Sequence, residues 1–478
     1  MRRLHRAKTV RGRDPIGALP LAISLLLLAP GCAVDAPSPS EPPVAALDAP
    51  AQAAADGGQT IVVDDAVELV AAMSPEHAGR RILVRAGSYL VSQTLVVPDG
   101  ATLEGEGVML LDETGLPAGF AAGTRTSIAM TANVPGDVLT LGDGVTVRRL
   151  ALEDLPGRSG NAIGIVSRHD RDRVSATIVE TEIVNPNPHG VAPQGPTGCG
   201  LAVLTLNPNL GADPLPHVGA SITARVTRTL IRSPAMGIGC GLFAFNFAPS
   251  ASISVDVSRS VIGGGVIASG GVSRPDAVND SRTVLASHHN LYRDDTADPC
   301  AAGRLGWNLQ GGSGTPIPLP NPGAARNALR LHSVSDRIEG FTMGVLATGG
   351  RRFFGAPTAG PVTDNSVDLE LLGTTISTSA CGEAAFVADL RLAGALVTDG
   401  AIVPGDGNTL RAVLRGVTGS GSRSNDYADV LGPAGAQPPS LQGAGNRLSI
   451  VGSPEAFART NHAIAPAPGA TFFTGGAR

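Results

Sequence analysis

One strand is written four times in this chain, and few folds can use such a repeat. Thr177 to Val184 (TIVETEIV), Arg225 to Ile231 (RVTRTLI), Asp256 to Ile262 (DVSRSVI) and Ala286 to Tyr292 (ASHHNLY) align with Val179, Val226, Val257 and Ser287 in one column, spaced 47, 31 and 30 residues apart. A second column follows at Gly200-Leu201, Gly241-Leu242 and Gly265-Val266. Such a period marks a solenoid, in which each unit buries its apolar residues only by stacking on its neighbours. An immunoglobulin-like tandem also uses short strands and turns, but the unit here is too short for a sandwich domain. Runs at 328–334, 367–372, 410–414 and 448–451 continue the pattern less regularly. The reading is one elongated domain over 60–465, with uneven side loops and a loose tail at 466–478.

The stretch Arg81 to Gly107, RILVRAGSYLVSQTLVVPDGATLEGEG, reads as the first coil of that solenoid. Ile82 and Val84, then Leu90, then Leu95 and Val97, then Leu103 are placed inward at period two, and Ala86-Gly87, Pro98-Asp99-Gly100 and Gly105-Glu106-Gly107 break the runs. With 62 Gly, 37 Pro and 3% aromatics, the core must be built from small aliphatic side chains between many turns, which leaves little room for long helices. The exception is Asp64 to Met73, where an N-cap candidate precedes a stripe of Val67, Val70 and Ala71. It is placed to cover the exposed bottom rung. The order hydrophobic run, Gly-x-Tyr, hydrophobic run, Pro-x-Gly-x-x-Leu-x-Gly resembles the opening coil of right-handed parallel β-helix proteins of the pectate-lyase-like superfamily. The resemblance implies an all-β fold, a single right-handed parallel β-helix with a short N-terminal capping helix, and no particular activity.

The N-terminus reads as an export signal. Arg2, Arg3, Arg6, Lys8, Arg11 and Arg13 precede an apolar run from Ile16 to Ala29, closed by Gly31-Cys32. The run is short for a stable membrane span. Ala29-Pro30-Gly31-Cys32 resembles a bacterial lipobox, which implies that residues 1–32 are a signal and that Cys32 carries the lipid. The Ala/Pro/Ser-rich tract 33–59 is then a disordered spacer. The expected location is exported, anchored to an outer membrane, periplasmic or on the cell surface, with membrane contact through the lipid alone.

A net charge of −5 and the lack of a basic cluster past the first fourteen residues argue against nucleic acid as a partner. Lysine occurs only at Lys8, so Schiff-base and lysine general-base chemistry are excluded from the mature chain. Apart from Cys32 there are four cysteines, Cys199, Cys240, Cys300 and Cys381. Cys199 and Cys240 share the context Gly-Cys-Gly-Leu; strands stacked one rung apart lie about 4.8 Å from each other, within reach of a disulfide. Two inert stacked thiols fit the same pattern. No Cys-x-x-Cys or paired-His motif points to a metal, and none is assigned.

The richest local chemistry is Ser287-His288-His289-Asn290-Leu291-Tyr292-Arg293-Asp294-Asp295. His-His-Asn-Leu-Tyr resembles a strand that pectate lyases of the first polysaccharide lyase family carry shortly before their catalytic arginine. That resemblance makes His288, His289, Asn290, Arg293, Asp294, Asp295 and Arg304 candidate groove residues, with Ca²⁺ as the ion if the chain is a lyase and no cofactor otherwise. The family's Arg-x-Pro-x-x-Arg and Trp-Ile-Asp-His elements are missing, and no catalytic residue is assigned. A polar outer face of an ordinary rung accounts for the same letters. Asp170 with Asp172, Glu180 with Glu182, and Asp276 with Asp280 lack EF-hand or RTX spacing. The polygalacturonase order of motifs is absent, as are Gly-x-Ser-x-Gly and a P-loop. Three readings follow: a protein that interacts with carbohydrate along its lateral face, a polysaccharide lyase acting by β-elimination, and a non-catalytic surface scaffold or adhesin.

Overall fold

The computed structural model describes residues 60–473 except 132–133, 193–194, 207–216, 235–238, 274–275, 297–303, 315–322, 353–359, 380–387, 398–404, 420–424, 432–444 and 453–470. The signal and spacer expected over 1–59, with Cys32, lie outside the described residues, as do Cys300 and Cys381.

The chain winds as a parallel β-helix. Each full coil contributes one strand to each of three parallel sheets, of thirteen, ten and eleven strands. A middle coil shows the unit: Ser221–Thr227 in the first sheet, Leu230–Arg232 in the second, Cys240–Phe245 in the third. Strict alternation sends Ile222, Ala224 and Val226 inward and Thr223, Arg225 and Thr227 outward. Stacked coils merge these inward side chains into one core running from Val63 to Ile450.

The register corrects the column read from sequence by one residue at its start. Ile178 stacks on Val226, Val257 and Ser287, while Val179 pairs with Thr227 and is half-exposed on the outer face. The aligned segments were the right ones; the error arose because Ile178 and Val179 are equally apolar, and only the buried partner reveals which faces in. In the first coil Tyr89 and Val91 face inward and Leu90, expected inside, is exposed, because the strand begins at Gly87 and the alternation runs from there. The helix is Ala66–Ala72 with Asp65 as N-cap. Its buried side is Leu69 and Ala72; of the expected stripe, Val70 is half-buried against the core, while Ala71 and Val67 are exposed, Val67 at 78%. Leu69 and Ala72 join the main core, so the helix does cover the first rung. Thr471–Phe473, within the expected loose tail, adds a parallel strand to the end of the first sheet.

Two corners are built differently from the rest. Between the first and second sheets the chain turns in two residues: the first has positive φ, as at Glu180, Arg228, Arg259, His289 and Ser335, and the second is a buried polar residue, Thr181, Thr229, Ser260, Asn290 or Asp336. A non-glycine residue in this conformation costs about 1–3 kcal/mol. Each turn recovers part of that cost through a bond to the next rung, such as His289 N–H to the Val334 carbonyl (2.9 Å). At the corner entering the first sheet, Asn327, Asn365, Asn408 and Asn446 form a ladder in which each Nδ2 donates to the next Oδ1 at 3.0–3.1 Å. Gly312 and Gly350 make room for it, since a Cβ there would lie 2.3–2.4 Å from Asn365 or Asn408.

Candidate functional site

The seven residues singled out from sequence do not gather in one groove. His288 ends a first-sheet strand, half-exposed and pointing outward, with its ring 5.9 Å from that of His332. His289 is the exposed positive-φ residue of the two-residue corner. Asn290 points inward, donating its Nδ2–H to Val257 O (2.9 Å) and Asp336 Oδ1 (3.1 Å), as the buried polar residue of the two-residue corner. Arg293 lies on the second sheet and binds Asp295 at 2.6 Å. Asp294 accepts from Arg304 at 3.0 Å, with both side chains buried where the chain passes from second to third sheet. The cause is geometric: the positive-φ corner at His289 interrupts the alternation, so His288 faces out at the end of one sheet while Asn290 turns in before the next begins.

The acidic pairs weighed as Ca²⁺ ligands are mostly engaged with arginine: Asp172 with Arg168, Glu180 with Arg149 and Arg228, Glu182 with Arg125 and Arg232, Asp280 with Arg326. Apart from Asp172–Arg168, which lies within one connection, these ties lock rungs together. Arg326 holds the Asp280 carboxyl below the usual carboxylate range.

The outward face of the third sheet is different. Its strands lengthen to ten residues at Leu305–Gly314, Met343–Arg352 and Ala388–Val397, and long connections leave both of its edges. Outward side chains of the first sheet are half-exposed, whereas those described here are mostly buried. In the middle coils this buried outer face is apolar: Ala202, Phe243 and Ile267 stack in one row, with Leu204 and Phe245 beside them. A disulfide joins Cys199 to Cys240, a register pair with Cα atoms 4.6 Å apart.

From residue 308 onward the same rows become mixed, with Asn308, Leu346 and Arg391 in one and Gln310, Thr348 and Ala393 in the other. Asn308 follows Ile267, and Gln310 stands in register with Thr348. Asn308, Gln310, Ser313, Thr348, Arg351 and Arg391 are all at most 7% exposed. Asn308 Oδ1 accepts from Gln310 Nε2 (3.2 Å) and from Arg351 Nη1 (3.4 Å). Burial pushes the Arg351 guanidinium down to about 9. Gln310 Oε1, Ser313 Oγ and Thr348 Oγ1 are buried and make no hydrogen bond. An unmet buried polar atom costs about 1–3 kcal/mol, and native proteins keep few of them. The array offers a guanidinium of low hydration, two hydroxyls and an amide oxygen, which is the chemistry that holds a hydroxylated, carboxylate-bearing ligand. Sequence reading passed over these residues, although Gly311-Gly312 and Gly349-Gly350, each near the end of its third-sheet strand, mark the rungs that carry them.

No family model and no curated protein sequence matches the chain. Among solved structures, Geobacillus virus E2 ORF18 is similar at 10% identity over 72% of this chain and 65% of that one, with a TM-score of 0.29. The A-module of the Azotobacter vinelandii mannuronan C-5 epimerase AlgE6 gives 14%, 68%, 93% and 0.20, and the alginate lyase AlyF-OU02 in complex with G6 gives 9%, 70%, 84% and 0.17 in the same order. This chain thus spans 65% of the viral protein's length. At these TM-scores none of the three bears on the chemistry of this chain.

Proposed function

We propose that this protein binds an extended acidic polysaccharide along the outer face of the third sheet, over the rungs from Asn308 to Arg391. The observation that carries it is the set of buried, unbonded acceptors Gln310 Oε1, Ser313 Oγ and Thr348 Oγ1 beside the desolvated Arg351. Arg351 would meet a sugar carboxylate and the amide and hydroxyls would meet ring hydroxyls, one sugar lying along each rung or so at about 4.8 Å per strand. The face is buried in this structure, so occupancy requires it to open. Polymer should therefore change amide exchange in strand Leu305–Gly314 while leaving Arg173–Val179 as it was. The proposal includes export and lipid attachment at Cys32, for which incorporation of labelled fatty acid into the whole chain, lost in Cys32→Ala, is the test.

A second reading is a lyase. Proton abstraction needs the neutral guanidine, and the burial that lowers Arg351 to about 9 favours that form over an ordinary arginine's. Incubating the protein with polygalacturonate, alginate and related polymers plus Ca²⁺, while following ultraviolet absorbance of unsaturated products, separates the two. Rising absorbance that disappears in Arg351→Met establishes the lyase; flat traces with retained polymer binding leave the binder. Neither absorbance nor binding would leave a scaffold.

A further inference from the structure

The sequence offers no metal motif, yet the fold assembles three soft-metal ligands around the disulfide. His189 comes from the connection between the second and third sheets, and Cys199 and Cys240 start adjacent third-sheet strands. His189 Nδ1 lies 3.4 Å from Cys199 Sγ, and the three ligand atoms all fall within 4.8 Å of one another. The His189 ring also rests on Phe243, centroids 5.2 Å apart, which fixes it against the apolar outer cluster.

We propose that this cluster is a zinc site gated by thiol chemistry, occupied when the Cys199–Cys240 bond is reduced and abolished when it forms. In a tetrahedral zinc site with Zn–S near 2.3 Å and Zn–N near 2.0 Å, neighbouring ligand atoms stand about 3.5–3.8 Å apart. The His189–Cys199 separation already meets that spacing. Two unbonded sulfurs on adjacent rungs, with Cα atoms 4.6 Å apart, reach it once the bond between them is broken. The chemistry balances. Two external thiols reduce the protein disulfide and leave as one disulfide, and the two protein thiols release two protons to solvent as Zn²⁺ binds. The fourth position is left for water or a further ligand. The chain then has two exclusive states, metal-bound in a reducing compartment and cross-linked in an oxidising one, and neither depends on polysaccharide binding.

Cobalt(II) is the probe, because thiolate ligation gives it a charge-transfer band. The full chain, reduced with a phosphine under anaerobic conditions, should take up one more equivalent of Co²⁺ than the Cys199→Ser/Cys240→Ser variant, and Zn²⁺ should displace it. The oxidised chain should show no such band. His189→Ala, which keeps both cysteines and the disulfide, should weaken binding at least tenfold. Equal uptake by the reduced chain and the double variant overturns the proposal. So does equally tight binding in His189→Ala, the outcome expected if cobalt were held by the thiols of an unfolded chain.

Discussion

The outer face of the third sheet is one surface with two halves. Over the middle coils Phe243, Ile267 and Leu204 make it a second, dry core, stitched by Cys199–Cys240. Over the later coils the same rows carry Asn308, Leu346 and Arg391 beside Gln310 and Thr348, equally buried, with Gln310 Oε1 and Thr348 Oγ1 making no hydrogen bond. Register runs on unbroken from one half to the other, while the later strands are longer, ten residues against six, and several of their outward side chains are polar. One half is arranged for stability. The other carries groups that cost stability unless a ligand meets them, which is the pattern expected of a binding site.

Each half predicts its own response to mutation. The largest effect should come from Phe243→Ala, which removes a large buried ring and should cost about 3–5 kcal/mol by denaturant unfolding, with polymer binding unchanged after correction for the folded fraction. Cys199→Ser should cost about 2–4 kcal/mol on the same assay, since the bond closes a long loop in the unfolded chain. On the polar half, Gln310→Leu and Thr348→Val should lower polymer affinity at least tenfold while leaving stability unchanged or higher by about 1 kcal/mol or less. A stability loss there comparable to that of Phe243→Ala would erase the distinction between the halves.

A separate test is a pH dependence. Burial lowers the pKa of Arg351 from the ordinary guanidinium range to about 9 in the folded protein, so above pH 9 the unfolded state holds more protons than the folded one. Stability should therefore rise with pH between about 9 and 12 relative to Arg351→Met, in which the slope difference vanishes. Polymer binding should fall over the same interval as the guanidinium loses its charge.

Much of the architecture was legible because period-two alternation and positional repetition are written locally: Val226, Val257 and the Gly-Leu column fell into register as read. Errors occurred where alternation alone was ambiguous, at Val179 and Leu90, and where a short helix offered more than one apolar face, at Val67. The site was less visible. His288, His289 and Asn290 drew attention as neighbours in sequence, yet a two-residue corner sends them to three environments. Gln310 and Thr348 lie 38 residues apart and meet only through strand pairing. Asn365 and Asn408 gave no local signal either, since their role depends on glycines 53 and 58 residues before them, at Gly312 and Gly350. Sequence shows which way a strand faces, and stacking decides what is beside it.

The most direct test combines Gln310→Leu, Thr348→Val and Arg351→Met in one full-length chain, measuring its melting temperature and its affinity for polygalacturonate and alginate beside the unaltered protein. A melting point held or raised, together with polymer affinity lost in the variant and present in the parent, is the predicted result. Equal affinity in both chains, or a variant that fails to fold, would contradict the assignment of this face to ligand binding.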